Sequence, residues 1–203
     1  MFDARLRPLI DPPLNAIGRT IARAGISANQ ITVAGAVAGI GAGAAISAGA
    51  FGVGLALIVL SRLLDGLDGA VARATRMTDF GGYLDILADF LFYISVPLGF
   101  ACAAPGNEAP AALLIASFTL TGVSFLAFAA IAGRRGLDTS AHGKKSFFYS
   151  TGIAEGAETI AVFVLMCLAP GWFGTIAVIY AGVCAATVVQ RTMMAADLFK
   201  NGA

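Results

Sequence analysis

Residues 109–133 read Ala-Pro-Ala-Ala-Leu-Leu-Ile-Ala-Ser-Phe-Thr-Leu-Thr-Gly-Val-Ser-Phe-Leu-Ala-Phe-Ala-Ala-Ile-Ala-Gly, with no Asp, Glu, Lys or Arg among them. A helix rising 1.5 Å per residue crosses a hydrocarbon layer of roughly 30 Å with about 20 such residues. Working outward, five more stretches are long and mostly apolar, at 28–50, 51–73, 81–104, 147–169 and 171–196. Turn residues separate them: Ser47–Gly54, Ala104-Pro105-Gly106-Asn107, Gly133–Gly143 and Ala169-Pro170-Gly171. Barrel strands are shorter and alternate in polarity, so these runs predict helices. The expected fold is an all-α integral membrane protein with six transmembrane helices. Composition agrees: 58% of the 203 residues are hydrophobic and 12% charged, and the mean hydropathy is +0.84. So little charge cannot cover the surface of a soluble domain of this size.

Residues 1–25 differ from the rest. Leu6, Leu9, Ile10, Leu14, Ile17 and Ile21 recur at spacings of three and four with arginines between them. That pattern predicts an amphipathic helix on the membrane surface, broken or kinked at Pro12-Pro13. It lacks the apolar core of a signal peptide. The expected organisation is a juxtamembrane helix at 1–25 and a six-helix transmembrane domain at 26–203. Cys102, Cys167 and Cys184 show no metal spacing and read as small buried hydrophobes.

The 13 Lys and Arg nearly cancel the 12 Asp and Glu. A net charge of +1 gives no sign of a nucleic-acid partner, and none is expected. Threading six spans from a cytoplasmic N-terminus puts every Lys and Arg inside, and Glu108 is then the sole charge in the outer turns. Both termini are expected in the cytoplasm, in a multi-pass membrane protein. In the first span Gly35, Gly39 and Gly43 form a double G-x-x-x-G stripe that lets another helix backbone come close. It suits a dimer interface or packing within the bundle. Packing within the bundle is the expectation for the stripe, and a homodimer for the assembly.

Intramembrane carboxylates cost roughly 2.5–3.5 kcal/mol each on insertion scales. This chain concentrates Asp65, Asp68, Asp85 and Asp89 at the same end of the second and third spans. The first pair is i,i+3 and the second i,i+4, so each falls on one helix face. A short connection containing Arg73, Arg76 and Gly81-Gly82 predicts a hairpin whose antiparallel packing brings the faces together. Oxygen ligands without His or Cys suit Mg²⁺, Mn²⁺ or Ca²⁺ rather than zinc, and two such divalent ions are a usual clamp for substitution at phosphorus. Gly66 and Gly69 leave room beside the acids for a phosphate or nucleotide, and Arg73 supplies a permanent cation. A structural ion network with Arg62, Arg73 and Arg76 is the plainer alternative.

Asp65-x-x-Asp68-Gly69-x-x-Ala72-Arg73, seven residues, then Gly81-x-x-x-Asp85-x-x-x-Asp89 matches the complete motif of the CDP-alcohol phosphotransferases, or CDP-alcohol phosphatidyltransferases. The match fixes eight positions within residues 65–89, and Ile26–Thr32 is similar to the family's lead-in to the first span. The resemblance implies a transferase of substituted phosphate groups that acts in phospholipid synthesis. Asp65, Asp68, Asp85 and Asp89 would bind the metals, and Asp89 would also take the proton of the acceptor hydroxyl. Gly69, Ala72 and Arg73 would hold the cytidine diphosphate, with Asn29 and Thr32 on the same side. Gly81 would let the two catalytic helices pack. The implied reaction moves a phosphatidyl group from CDP-diacylglycerol to a polar alcohol and releases CMP.

Outside the motif, Glu155 and Glu158 share a face in the first turns of the fifth span and could bind acceptor hydroxyls or an amine. Arg134, Lys144 and Lys145 lie in a basic loop that could grip an acceptor phosphate or simply face anionic lipid. Arg191 is an isolated cation suited to a phosphate, while His142 reads as a bystander. No acceptor motif is apparent. A proton-coupled carrier is the alternative function, since intramembrane acids also mark ion pathways. The absence of paired repeats in the sequence counts against it.

Overall fold

The computed structural model describes residues 3–136 and 152–201, and among these every regular element is helical. The elements are α1 (Asp3–Arg23), α2 (Ala28–Ser47), α3 (Phe51–Ala74), α4 (Asp79–Ala103), α5 (Glu108–Arg134), α6 (Gly156–Leu168), a 3₁₀ turn at Pro170–Trp172 and α7 (Phe173–Asn201). Four helices are long and apolar enough to cross a membrane: α2, α4, α5 and the Pro170–Phe199 run. The expected second span, α3, has 24 residues but carries Arg62, Asp65, Asp68 and Arg73 from its midpoint onward. The expected fifth span, α6, has only 13 helical residues, about 20 Å. Part of the stretch predicted there, 147–151, falls outside the described residues.

Local chemistry sets the helix starts. Ser27 caps α2 in a capping box: its Oγ accepts from the Gln30 N–H at 3.3 Å, and Gln30 Oε1 accepts from the Ser27 N–H at 2.9 Å. Gly25 just before it has φ +82°, a conformation that frees the chain to turn out of α1. Thr78 caps α4 by accepting from the Gly81 N–H at 3.0 Å. The predicted break at Pro12-Pro13 does not occur, and α1 runs through both prolines. Each proline removes one intrahelical donor, and packing on α3 supports the turns around them. Gly18 lies against Ala70 and Leu14 against Gly66, while Ile10 and Ile17 remain about half exposed on the outer face, as a surface helix requires.

The glycine stripe is used inside the chain. A Cβ added at Gly39 would lie 3.2 Å from Phe92 and 3.3 Å from Ser61 Oγ, and one at Gly43 would collide with the Ser95 carbonyl. α2 is therefore wedged between α3 and α4, which pack chiefly on it and not on each other. This corrects the expected hairpin: two spans joined by a short turn are splayed by a third whose small face admits both backbones. Substituting Gly43→Val is expected to cost about 1–3 kcal/mol through overpacking, read as a lower melting temperature of the purified protein.

Phe92, Phe100, Phe163, Phe173, Leu114 and Met166 fill the core with no exposed surface. The Phe100 and Phe173 rings stack at 4.5 Å, and Phe92 meets Phe163 edge-on at 5.5 Å. Val37, Leu98, Leu120 and Ile179 point outward. An apolar exterior over an apolar core is the pattern of a chain solvated by lipid.

Candidate functional site

α3 carries Asp65 and Asp68, and α4 carries Asp85 and Asp89. Asp68 is buried at 6% exposure, and its Oδ2 has no hydrogen-bond partner among the described residues. The cation that joins the two helices is Arg62. Its Nη1 donates to Asp89 Oδ1 at 2.7 Å and lies 3.5 Å from Asp65 Oδ1. Its Nη2 donates to Ser61 Oγ at 3.2 Å, and Ser61 Oγ donates to the Gly35 carbonyl at 2.9 Å. The guanidinium carbon stands 3.9 Å above the Phe92 ring. The alternative of a network with three arginines is thus reduced to one of them. Arg73 instead donates from Nε and Nη2 to Asn15 Oδ1 of α1, at 3.2 and 3.0 Å.

Two cavities open beside the acids. One, of about 270 Å³, is lined by Asn29, Thr32, Asp68, Gly69, Ala72, Arg73, Gly81 and Asp85, with Arg76 and Thr78 at its edge. It gathers every residue that the motif assigns to the nucleotide. The other, of about 380 Å³, is lined by Asp89, Tyr93, Phe118, Thr121, Glu155 and Arg191 among others. Asp85 and Asp89 are one turn apart on α4 and line different cavities. Asp68 shares the smaller cavity with Asp85, and Asp65 lines neither.

Several expected placements differ. Gly66 faces Leu14 of α1, 3.0 Å from where its Cβ would be, and does not line the cavity of Asp68. Gly81 lies close to Asn29 of α2, 3.2 Å from its would-be Cβ. It therefore makes room for α2, because α2 and not α3 is the packing partner of α4. Glu155 is not in a helical turn. It is the extended residue before α6, and its Oε1 accepts from the Gly152 N–H at 2.9 Å. Glu158, in the first turn of α6, is not part of the second cavity's lining. Arg191 is not isolated, since its Nη1 donates to the Thr121 carbonyl and to Ser124 Oγ, both at 2.7 Å. Arg134 is exposed at the end of α5 and lines neither cavity. Lys144, Lys145 and His142 lie outside the described residues.

Sequence reading missed Asn15, Tyr93, Phe118 and Thr121, and it saw Arg62 only as part of a possible network. For Arg62 a signal existed: it is i−3 to Asp65 and so shares its face. Tyr93 likewise is i+4 to Asp89 on one face of α4, whereas Asn15, Phe118 and Thr121 are brought in by tertiary packing.

The donor set suits a hard divalent ion. All four candidates are carboxylates, and the buried, unpartnered Oδ2 of Asp68 needs a positive partner. Among the described residues, however, no three of His, Cys, Asp and Glu are gathered closely enough to hold a metal ion. Arg62 occupies the space between Asp65 and Asp89.

A family model described as CDP-alcohol phosphatidyltransferase matches residues 26–196. The chain is 45% identical over 192 residues to inner membrane protein YnjF of Escherichia coli K12, covering 94% of this chain and 93% of that one. It is 35% identical over 99 residues to archaetidylinositol phosphate synthase of Pyrococcus horikoshii, spanning 48% of this chain and about half, 53%, of that relative. Among solved structures, Mycobacterium tuberculosis phosphatidylinositol phosphate synthase (PgsA1) in complex with manganese and citrate superposes with a TM-score of 0.66 at 21% identity. That match covers 90% of this chain and 88% of that one. The same protein with CDP-DAG bound gives 0.63 at 21% identity, covering 90% and 93%. These two establish the likeness of fold.

Proposed function

The chain belongs to the CDP-alcohol phosphatidyltransferase family and is a transferase of that type, and on that premise we propose that it moves a phosphatidyl group from CDP-diacylglycerol to the hydroxyl of a polar alcohol. The observation that carries this reading is that Asp85 and Asp89, a turn apart on α4, line two different cavities, with Asp68 sharing that of Asp85. A transfer between a nucleotide-linked donor and a separate acceptor needs such a divided site, and holding both partners converts a bimolecular step into an oriented one.

In this reading Asn29, Thr32, Gly69, Ala72 and Arg73 hold the cytidine diphosphate, and the acceptor occupies the cavity of Glu155 and Arg191. Asp65, Asp68, Asp85 and Asp89 hold Mg²⁺ or Mn²⁺. When bound, two such ions supply charge neutralisation at the phosphate oxygens. Asp89 takes the proton as the acceptor oxygen forms its bond to the lipid-bearing phosphorus. The bond from that phosphorus to the bridging oxygen breaks, and CMP leaves with its electron pair. Manganese and CDP-DAG are held by the PgsA1 structures of like fold, which supports this choice of ion and donor.

The same reading takes α3 and α6 as the remaining spans of a six-helix protein, paired as a homodimer. It puts both termini and the acids on the cytoplasmic side of a bacterial inner membrane. The name of the Escherichia coli inner membrane protein supports the choice of membrane, and the distribution of Lys and Arg supports the orientation.

The test is CMP release by purified protein in lipid nanodiscs, with CDP-diacylglycerol, Mg²⁺ or Mn²⁺ and a panel of alcohols: serine, glycerol phosphate and inositol phosphate. Release with one acceptor is expected, and release with none sinks the reading. Arg73→Ala is expected to raise the KM for CDP-diacylglycerol about tenfold, as the loss of one charge-assisted hydrogen bond would. Arg191→Gln is expected to raise only the KM for the alcohol. If both variants shift the same KM, the division into donor and acceptor cavities is wrong.

A further inference from the structure

Among the described residues, Arg62 is the cation that contacts acids of both helices. One nitrogen, Nη1, touches carboxylates from both α3 and α4, at 2.7 Å from Asp89 Oδ1 and 3.5 Å from Asp65 Oδ1. Its remaining contacts form a seat rather than a second ion pair: the Phe92 face below, Ser61 at Nη2, and among the described residues no partner for the buried Nε. Since α3 and α4 pack chiefly on α2, Arg62 is the ionic link between the two acid-bearing helices.

We propose that Arg62 is a resident counter-ion that holds the metal place between Asp65 and Asp89 and is displaced from Asp89 when a divalent ion binds. The proposal rests on the metal reading given above. A hard ion draws carboxylate oxygens to about 2.0–2.6 Å, and a guanidinium nitrogen already at contact distance on one of those oxygens must give way, since like charges at that range repel strongly in a buried site. The seat makes the move feasible. Only Nη1 contacts the acids, so the guanidinium can release Asp89 while keeping its stacking on Phe92 and its bond to Ser61. Before an ion arrives, Arg62 offsets the repulsion between Asp65 and Asp89 and keeps the two helices in register. It is a positioning residue and needs no contact with substrate.

The experiment measures Mn²⁺ binding by electron paramagnetic resonance on the whole protein in nanodiscs, without substrate. Arg62→Gln removes the competing charge, and its Mn²⁺ affinity is expected to rise by about tenfold or more over the unmodified protein. Its metal-free melting temperature should fall, and Mn²⁺ should restore it. Arg62→Lys retains the charge and is expected to bind Mn²⁺ with affinity close to that of the unmodified protein. In the unmodified protein, titration with Mg²⁺ should shift the ¹⁵N guanidinium resonance that Arg62→Lys removes. Equal or weaker Mn²⁺ binding by Arg62→Gln overturns the proposal and leaves the metal reading standing, provided the unmodified protein binds Mn²⁺. An Arg62 resonance unmoved by saturating Mg²⁺ does the same, and it needs no folded glutamine variant. Binding by neither protein overturns the metal reading and this proposal together.

Discussion

Asp89→Asn is expected to reduce kcat for CMP release by about 10²–10⁴-fold, the contribution of a positioned general base, with little change in the KM for CDP-diacylglycerol. Asp89 is the member of the acid set that lines the larger cavity, whereas Asp68 and Asp85 line the smaller one. Its side chain is 36% exposed and so within reach of an incoming hydroxyl. Asparagine keeps the shape and an oxygen that can still accept from Arg62, so the tie between α3 and α4 survives and the fold should too. A drop in kcat with an unchanged melting temperature would therefore report lost chemistry and not lost structure. If the variant keeps more than a tenth of the original kcat, another group accepts the proton and the assignment to Asp89 fails.

Much of this site was legible because it is local. Asp65 and Asp68 lie within one turn, as do Asp85 and Asp89, and helical periodicity alone puts each pair on a face. The Ser27–Gln30 capping box that starts α2 is likewise a four-residue pattern. The grouping around Asp68 was legible for the same reason: Gly69, Ala72 and Arg73 follow it along one helix and line one cavity with it.

What periodicity could not reach was the third helix between the two that bear the acids. Gly35, Gly39 and Gly43 announce that something packs closely, but not that α3 takes one flank and α4 the other. That choice decides why Gly81 abuts Asn29, and why the acid-bearing helices are linked through an arginine. The contact from Arg73 to Asn15 spans 58 positions, and that from Arg191 to Thr121 spans 70. No local rule links such pairs. Glu155 was misread for a different reason: its spacing to Glu158 fits a helix, but the helix begins one residue later and leaves Glu155 to bond Gly152. The carrier alternative fails on family membership and not on any property of the acids taken singly.

Asp68→Asn is expected to separate stability from function. Asp68 is 6% exposed with a buried Oδ2 that has no partner among the described residues, and leaving a buried polar group unsatisfied costs about 1–3 kcal/mol, more for a charged one. An ionised carboxylate in that position is an expense the metal-free fold has no use for. Replacing it with a neutral amide should raise the melting temperature of the metal-free protein by roughly 2–4 °C for each kcal/mol recovered. The same change removes a metal-binding oxygen's charge, so CMP release should fall by at least about 100-fold and Mn²⁺ affinity by a similar factor. Chelation with EDTA should abolish release by the unmodified protein, and excess Mn²⁺ should restore it, while the variant stays inactive at every Mn²⁺ concentration its affinity cannot reach. A residue retained against stability in this way is retained for its chemistry. A variant both less stable and less active would make Asp68 a structural acid, and one that keeps full activity would remove it from the metal set altogether.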